Sequence, residues 1–383
     1  MRTLQAIIAG NVTALWEKTA STSVLYLSEK IIFFFLCMCE IFYRLCFLVI
    51  QKAKPIFFRP YKAQCKIVSI GNLSVGGTGK SVLVQFLIKN FARFQCALVM
   101  RGYKSKASVE NKSLLVSDGK NIFYGADVCG DEAFMIASNV SVPLAIGAHR
   151  VQSLNRLLEC AQHNEQLLDI VFLDDAYQNQ QLVKDFQILL LDARRPFENG
   201  HCLPAGRLRE KDYTRADVII LTHADQISAQ KISHIKKHCL NKIDPARIFC
   251  GIHKVSQVLI DNHQSVSLDQ LEGKALLACA GIGSFSSFLE SLDSLNVSYA
   301  QTIEFQDHHE YTSKDVINVI AKTLENHCYG VVTTQKDWCK IAPILNNITE
   351  SSLVIWYVVP VEFEFLSTQE YHSFMKVVIS KLS

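Results

Sequence analysis

Residues 67–87, IVSIGNLSVGGTGKSVLVQFL, constrain this chain more than any other segment, because they read as a strand, a glycine-rich turn and an amphipathic helix in unbroken order. Gly76, Gly77 and Gly79 let the backbone curl until successive amides face phosphate oxygens, and the helix starting at Lys80 adds the positive end of its dipole. The turn Ser74, Val75, Gly76, Gly77, Thr78, Gly79, Lys80 and Ser81 is therefore the expected cradle for the phosphates of ATP. Lys80 is expected to reach the β and γ phosphates, and Ser81 to offer its hydroxyl to Mg²⁺. Ser74 stands where the general pattern has glycine.

Such a turn works at the carboxyl edge of a parallel sheet, and the rest of the chain supplies one. Apolar runs without alternation recur at 66–70, 96–100, 142–146, 170–173, 187–191 and 218–222, with helical patterns between several of them. Runs of this kind predict strands covered on both faces, hence an α/β, P-loop NTPase-like, doubly wound sheet. Beyond Ile227, strand candidates at 274–280, 330–334 and 353–359 and a helix over Ser313–Asn326 predict a second, smaller α/β domain. The expected division is a membrane-docking arm at 1–60, the phosphate-loop domain at 61–226 and the smaller domain at 227–383.

Within the arm, IIFFFLCMCEIFYRLCFLVI at 31–50 holds two charges in twenty residues, Glu40 and Arg44. Roughly 20 residues cross a hydrocarbon core, but charges near the middle of a span are costly. At i, i+4 the two share one helix face, where they can pair and face headgroups while the phenylalanines enter the acyl region. A helix lying in the interface is expected, with a single span as the alternative. Nine Lys or Arg against three acids in the first 66 residues, in a chain whose net charge is only +3, suit an anionic lipid surface and argue against nucleic acid. Removing residues 1–50 is expected to leave ATP binding intact. The apolar run starts too late for a cleavable leader at Met1. The thirteen cysteines form no C-x-x-C pair and read as reduced thiols of a cytosolic protein, not a zinc site or disulfide framework. No obligatory protein partner is evident.

Three further groups carry chemistry. The strand DIVFLDD ends in Asp174 and Asp175, the pattern of a carboxylate pair that holds Mg²⁺ beside a phosphate loop. CGDEAF places Asp131 and Glu132 in a polar turn before a helix, where either can cap the helix or orient and deprotonate an attacking hydroxyl. FQDHHEYTSKDV supplies Asp307, His308 and His309 ahead of another helix.

With these residues in view, the chain resembles the tetraacyldisaccharide 4'-kinases of lipid A synthesis. The matching segments run in order as SIGNLSVGGTGKS, RGYKSK, CGDEAF, GAHRV, FLDDAYQNQQL, LDARRPFENGHCLPAGRLRE, FQDHHEYT and VVTTQKDW, over roughly residues 65–340. The resemblance implies transfer of the ATP γ-phosphate to the 4'-hydroxyl of a lipid-linked disaccharide 1-phosphate, giving lipid IVA, at the cytoplasmic face of the bacterial inner membrane. It also implies two α/β domains with the active site between them and an N-terminal membrane-docking helix. Asp131 and His308 map onto the family's acid and imidazole dyad, with Tyr311 keeping the spacing and His309 as the alternative. Arg150, Arg209 and Glu210 correspond to family active-site positions, and Glu132 joins the Mg²⁺ ligands. Gln178 and Asn179 fall on the substrate side.

The sequence departs from the family pattern at several of these points. Ala176 replaces a glycine, Asn179 a histidine and Arg207 a proline, and Gln335 stands for glutamate in the Thr334–Asp337 segment. Asn179 forms hydrogen bonds but does not titrate. The competing expectation is a membrane-associated P-loop ATPase or switch with no lipid acceptor, in which Asp131 and His308 are structural.

Overall fold

Apolar runs with no alternation must be covered on both faces, and they form the centre of the larger of two sheets. A computed structural model describes residues 12–19, 26–57, 59–103, 105–110, 112–255, 257–262, 264–283, 285–307 and 309–382. The short helix α1 (12–19) and the long helix α2 (Leu27–Phe57) precede the first strand. Strands β1 (Lys66–Asn72), β2 (Cys96–Met100), β3 (Leu114–Asp118), β4 (Pro143–Ile146), β5 (Ile170–Leu173), β6 (Phe186–Asp192), β7 (Val218–Thr222) and β8 (Ile248–Lys254) follow. Between them lie α3 (Lys80–Asn90), α4 (Lys106–Val109), α5 (Ala126–Cys129), α6 (Asp131–Asn139), α7 (Arg150–His163) and α8 (Ala229–His234).

The larger sheet has the order β15-β8-β7-β6-β1-β5-β2-β4-β3, where β15 is Glu362–Phe365. All its pairs are parallel except at the two edges, β3 with β4 and β15 with β8. β1 sits between β5 and β6, with Val68 opposite Phe172 on one side and Phe186 on the other. The chain leaves β1 toward β2 in one direction and β5 toward β6 in the other, so the crevice at the carboxyl end of β1 is the topological switch point.

The smaller sheet runs β10-β9-β14-β13-β11-β12, from β9 (Val258–Ile260), β10 (Gln264–Val266), β11 (Leu276–Ala280), β12 (Tyr299–Glu304), β13 (Gly330–Thr334) and β14 (Ile355–Val359). It carries α9 (Phe285–Ser294), α10 (Ser313–Glu325) and α11 (Gln335–Leu345). α10 starts where expected because Thr312 and Asp315 form a reciprocal capping box.

This sheet takes only 258–359 of the stretch that the sequence reading assigns to the smaller domain. β8, β15 and α12 (Thr368–Leu382) return to the larger sheet. Phe374, Val378 and Leu382 of α12 are buried in one cluster with Ile188, Leu190 and Ile220. The segments β3, β8, β9, β10, β12 and β15 lie outside the predicted strands. Most are short or half-exposed, and β15 is the alternating EFEF, so no long apolar run marks them.

The arm also differs from the reading of its charges. Glu40 is 5% exposed and its carboxylate is 2.7 Å from His201 Nδ1 and accepts from the Cys202 amide at 2.9 Å, whereas Arg44 is exposed. The pair therefore does not face headgroups together. A buried carboxylate needs partners, and the protein body supplies them while water does not. The outward face of α2 is instead apolar, with Phe34, Phe35 and Phe42 between 62% and 71% exposed.

Because α12 packs on the larger sheet, Phe374→Ala is expected to cost about 3–5 kcal/mol. Urea unfolding followed by circular dichroism together with nucleotide binding checks this. Both signals should shift to lower denaturant together.

Candidate active site

The phosphate turn is shaped by two glycines in backbone conformations that side chains disfavour, Gly76 at φ +128° and Gly79 at φ +79°. Around Gly76 and Gly77 nothing lies within 4 Å of where a Cβ would stand, so the turn opens onto a cleft. At Gly79 the reverse holds, since an added Cβ would lie 2.0 Å from the His253 ring. The Thr78 hydroxyl is buried and has no hydrogen-bond partner among the described residues, as suits a group aimed at a ligand. The cleft, about 2410 Å³, is lined by this turn, by α6, by the loop before α9 and by α2. That exceeds the roughly 300–1,000 Å³ of a single small-molecule site and leaves room for two substrates.

Two segments flank the turn. One is the DDAYQN loop after β5. A Cβ on Gly71 would stand 2.6 Å from that of Tyr177, so only glycine lets β1 and this loop approach so closely. The Ala176 amide donates to the Ile70 carbonyl at 3.0 Å. Asp175 adopts φ +48°, which Asp tolerates, and its carboxylate lies 3.6 Å from Lys80 Nζ and 2.9 Å from Arg209 Nη1. Burial pushes the Asp175 carboxyl up, but Lys80 and Arg209 outweigh it and hold it below the usual carboxylate range.

Asp174, 4% exposed, is pushed up by burial and by the Glu132 charge, and its Oδ1 has no hydrogen-bond partner among the described residues. Glu132 accepts a hydrogen bond from the Ser81 hydroxyl at 2.7 Å. A buried, partnerless carboxylate oxygen crowded by like charge is relieved by a divalent cation, so Asp174, Asp175, Glu132 and Ser81 fit an oxygen-ligated Mg²⁺.

The other flanking segment is the LPAGRLRE loop. The Val75 amide donates to the Arg207 carbonyl at 2.8 Å and the Arg209 amide to the Leu73 carbonyl at 2.7 Å, with Ser74 bridged antiparallel to Leu208. The entry to the phosphate turn is thus tied down by backbone pairing, and the open part begins at Gly76. The far side of this loop rests on the arm: Tyr43 donates to the Arg209 carbonyl at 3.0 Å, Trp16 to the Pro204 carbonyl at 2.9 Å, and Arg207 pairs with Glu17 at 3.0 Å. The arm is built into the site's wall, unlike the separable anchor expected from sequence.

The remaining expected site residues fall as follows. Arg150, 2% exposed, points its guanidinium at the carbonyls of Met100, Gly147 and Asp174, and burial brings it down to about 10 against the pull of Asp174 and Asp175. It clamps the strand ends beneath the cleft. Glu210 is buried against Arg215, and burial raises its carboxyl. Gln178 donates to the Asn72 carbonyl at 2.9 Å and accepts from Arg209 at 3.4 Å. The Asn179 side chain accepts the Gln181 amide at 3.0 Å and so closes its own turn, which needs no titrating group.

Asp131 opens α6, one residue from Glu132, and pairs with Lys340 of α11 at 2.8 Å. His308 lies outside the described residues. His309, the alternative, is 3.3 Å from Asp315 and stacks on Phe305 with ring centres 4.7 Å apart.

Two features carried no sequence signal. Lys340 is one lysine on an amphipathic helix. The row Asp192, His223 and His253 spans three strand ends that only the sheet order brings together, with His223 3.3 Å from Asp192 and 3.1 Å from His253. Burial and the His223 charge lower His253 to about 4. A polar residue closing each successive strand was the one available hint.

Comparison with known proteins follows from this geometry. A family model described as tetraacyldisaccharide-1-P 4'-kinase matches residues 32–380. A tetraacyldisaccharide 4'-kinase of Halothermothrix orenii is 31% identical over 329 residues, covering 82% of this chain and 84% of the relative. One of Desulfatibacillum aliphaticivorans is 32% identical over 328 residues, covering 84% and 85%. The crystal structure of LpxK from Aquifex aeolicus in complex with ATP superposes with a TM-score of 0.68 at 22% identity, covering 91% of this chain and 98% of that one. That likeness is one of fold.

Gly79→Ala is expected to abolish ATP binding, read by titration with a fluorescent nucleotide, because the added methyl meets the His253 ring in a backbone conformation that alanine disfavours. Glu40→Ala is expected to weaken ATP binding as well, through the loop that α2 supports, while the protein still floats with anionic vesicles.

Proposed function

The chain belongs to the tetraacyldisaccharide-1-phosphate 4'-kinase family, and from that premise we propose that it transfers the γ-phosphate of ATP to the 4'-hydroxyl of a lipid-linked disaccharide 1-phosphate, giving lipid IVA. One observation supports the site assignment: the Glu132 carboxylate accepts from the Ser81 hydroxyl, which brings the start of α6, where Asp131 stands, beside the phosphate turn.

In this reading the turn from Gly76 to Ser81 binds the phosphates, and Lys80 neutralises charge on the β and γ groups. Asp174, Asp175, Glu132 and Ser81 would hold Mg²⁺, which when bound would offset charge on the phosphate oxygens. The 4'-oxygen forms a bond to the γ-phosphorus as the bond to the β–γ bridging oxygen breaks. Asp131, working with His308, accepts the hydroxyl proton, and ADP leaves. Arg209, fixed by Asp175 and Gln178, orients the Asp175 side of the metal site. Arg150 and Glu210 support the strand ends and the loop from behind.

The acceptor's acyl chains reach the cleft along α2. Of the helices described, Leu27–Ala53 is long and apolar enough to cross a membrane, yet Glu40 and Tyr43 on one face are tied to the protein body. In this reading the helix lies in the interface at the cytoplasmic face of the inner membrane, with its phenylalanines among the lipids and the basic arm against anionic headgroups, and the ties of Glu40 and Tyr43 to the body support a flat placement over a span.

Incubation of purified protein with ATP, Mg²⁺ and the disaccharide lipid 1-phosphate should yield the bisphosphorylated lipid, identified by its mass. Lys80→Ala should lose turnover by weakening nucleotide engagement, and Asp131→Asn should lose turnover with nucleotide binding kept. Full turnover by Asp131→Asn would refute the choice of base.

A further inference from the structure

The two sheets face each other across a cleft, and the helices that meet there are α6 from the larger unit and α11 from the smaller. They run in opposite directions. Asn139 at the end of α6 exchanges side-chain amide hydrogen bonds with Gln335 at the start of α11, at 2.9 and 3.1 Å. Asp131, at the beginning of α6, meets Lys340 further along α11.

The Lys340 side chain is 9% exposed, unusual for a lysine, and its ammonium makes two contacts that belong to different domains. One is the Asp131 carboxylate at 2.8 Å. The other is the main-chain carbonyl of His309, at 3.0 Å, in the loop that also carries His308 in sequence. The geometry assigns Lys340 a role in the phosphoryl transfer: it is the positioning residue that clamps the Asp131 carboxylate and the 306–311 loop to each other across the interdomain cleft. This rests on the reading of Asp131 as the base.

Chemistry favours such a clamp. Asp131 stands at the first position of α6, and a cation from the facing helix draws its carboxylate toward α11. An ammonium donates to both acceptors at once, because it has three donors and no required plane. The loop is held from its other end as well. His309 leans on Asp315 and stacks on Phe305, so Lys340 meets a carbonyl whose place is already set. Lys340 comes from α11 and Asp131 from α6, so this contact exists only while the two helices are packed together. The base is then assembled only in the docked arrangement.

The experiment measures kcat and KM for both substrates in Lys340→Met, Lys340→Arg, Asp131→Asn and the double variant Lys340→Met with Asp131→Asn. Lys340→Met should lower kcat about 100-fold, the scale of a misplacement near 1 Å, with KM for ATP unchanged because the phosphate turn lies wholly in the larger sheet. Lys340→Arg should recover part of the loss. In the double variant Lys340→Met should add nothing to the loss from Asp131→Asn, since both act through one carboxylate.

Losses that multiply, or a Lys340→Met enzyme with full kcat, would overturn the inference. Full activity of Asp131→Asn would instead overturn the reading of the base, whatever Lys340 does. Should Lys340→Met fail to fold by circular dichroism, Lys340→Gln replaces it, losing the ion pair and keeping one donor for the His309 carbonyl. An unchanged kcat there refutes the role equally.

Discussion

A glycine-rich turn is soft, and it becomes a cradle only when its entry is held. Here the hold is the antiparallel backbone pairing of residues 73–75 with 207–209, reinforced by Arg209 on Asp175. The pairing removes Val75 from the phosphate-binding part and leaves the glycines to face the cleft. It also places a guanidinium beside Asp175, one of the two acids that suit Mg²⁺. Charge-assisted contacts of this kind are stronger than neutral ones and matter most where water is scarce.

That dependence explains the arm. The loop 199–211 has the phosphate turn on one side and α1 and α2 on the other, and Glu40, Tyr43 and Trp16 all reach polar groups of it. A helix whose outer face is phenylalanine and whose inner face carries a buried carboxylate has a fixed rotation about its axis. The apolar face is therefore directed outward by electrostatics within the protein. Any surface that receives the phenylalanines is brought to the rim of the cleft.

The second unit reaches the cleft through the start of α11. Its buried Asp337 caps α11 through Thr334 and so fixes the helix that carries Gln335 and Lys340 to the cleft. This gives a reason for the Thr-x-Lys-Asp pattern that needs no contact with substrate. Gln335 in place of glutamate suits its role, because an amide can exchange two hydrogen bonds with Asn139 where a carboxylate could only accept.

Much of this was legible in the sequence. The central strands, the phosphate turn, the paired acids after β5 and the capped start of α10 are local patterns, set by side-chain period and by backbone needs within a few residues. Each was found within a few residues of its place. The short edge strands were not, because a three- or four-residue strand such as β15 has no period long enough to read, and its pairing partner β8 lies over a hundred residues away. Glu40 was misread for a related reason. From sequence its neighbour is Arg44, four positions on, whereas the folded chain brings His201 and Cys202 to it.

The sequence by itself determined the fold class, the glycine-rich turn between β1 and α3 and the residue types around it, since these follow from local periodicity and from glycine. Only the tertiary structure decided which charges meet. Arg150 went to the strand-end carbonyls beneath the cleft, Glu210 to Arg215 and Lys340 to Asp131, because desolvation lets a buried charge persist only beside the partner that three-dimensional packing happens to place within reach.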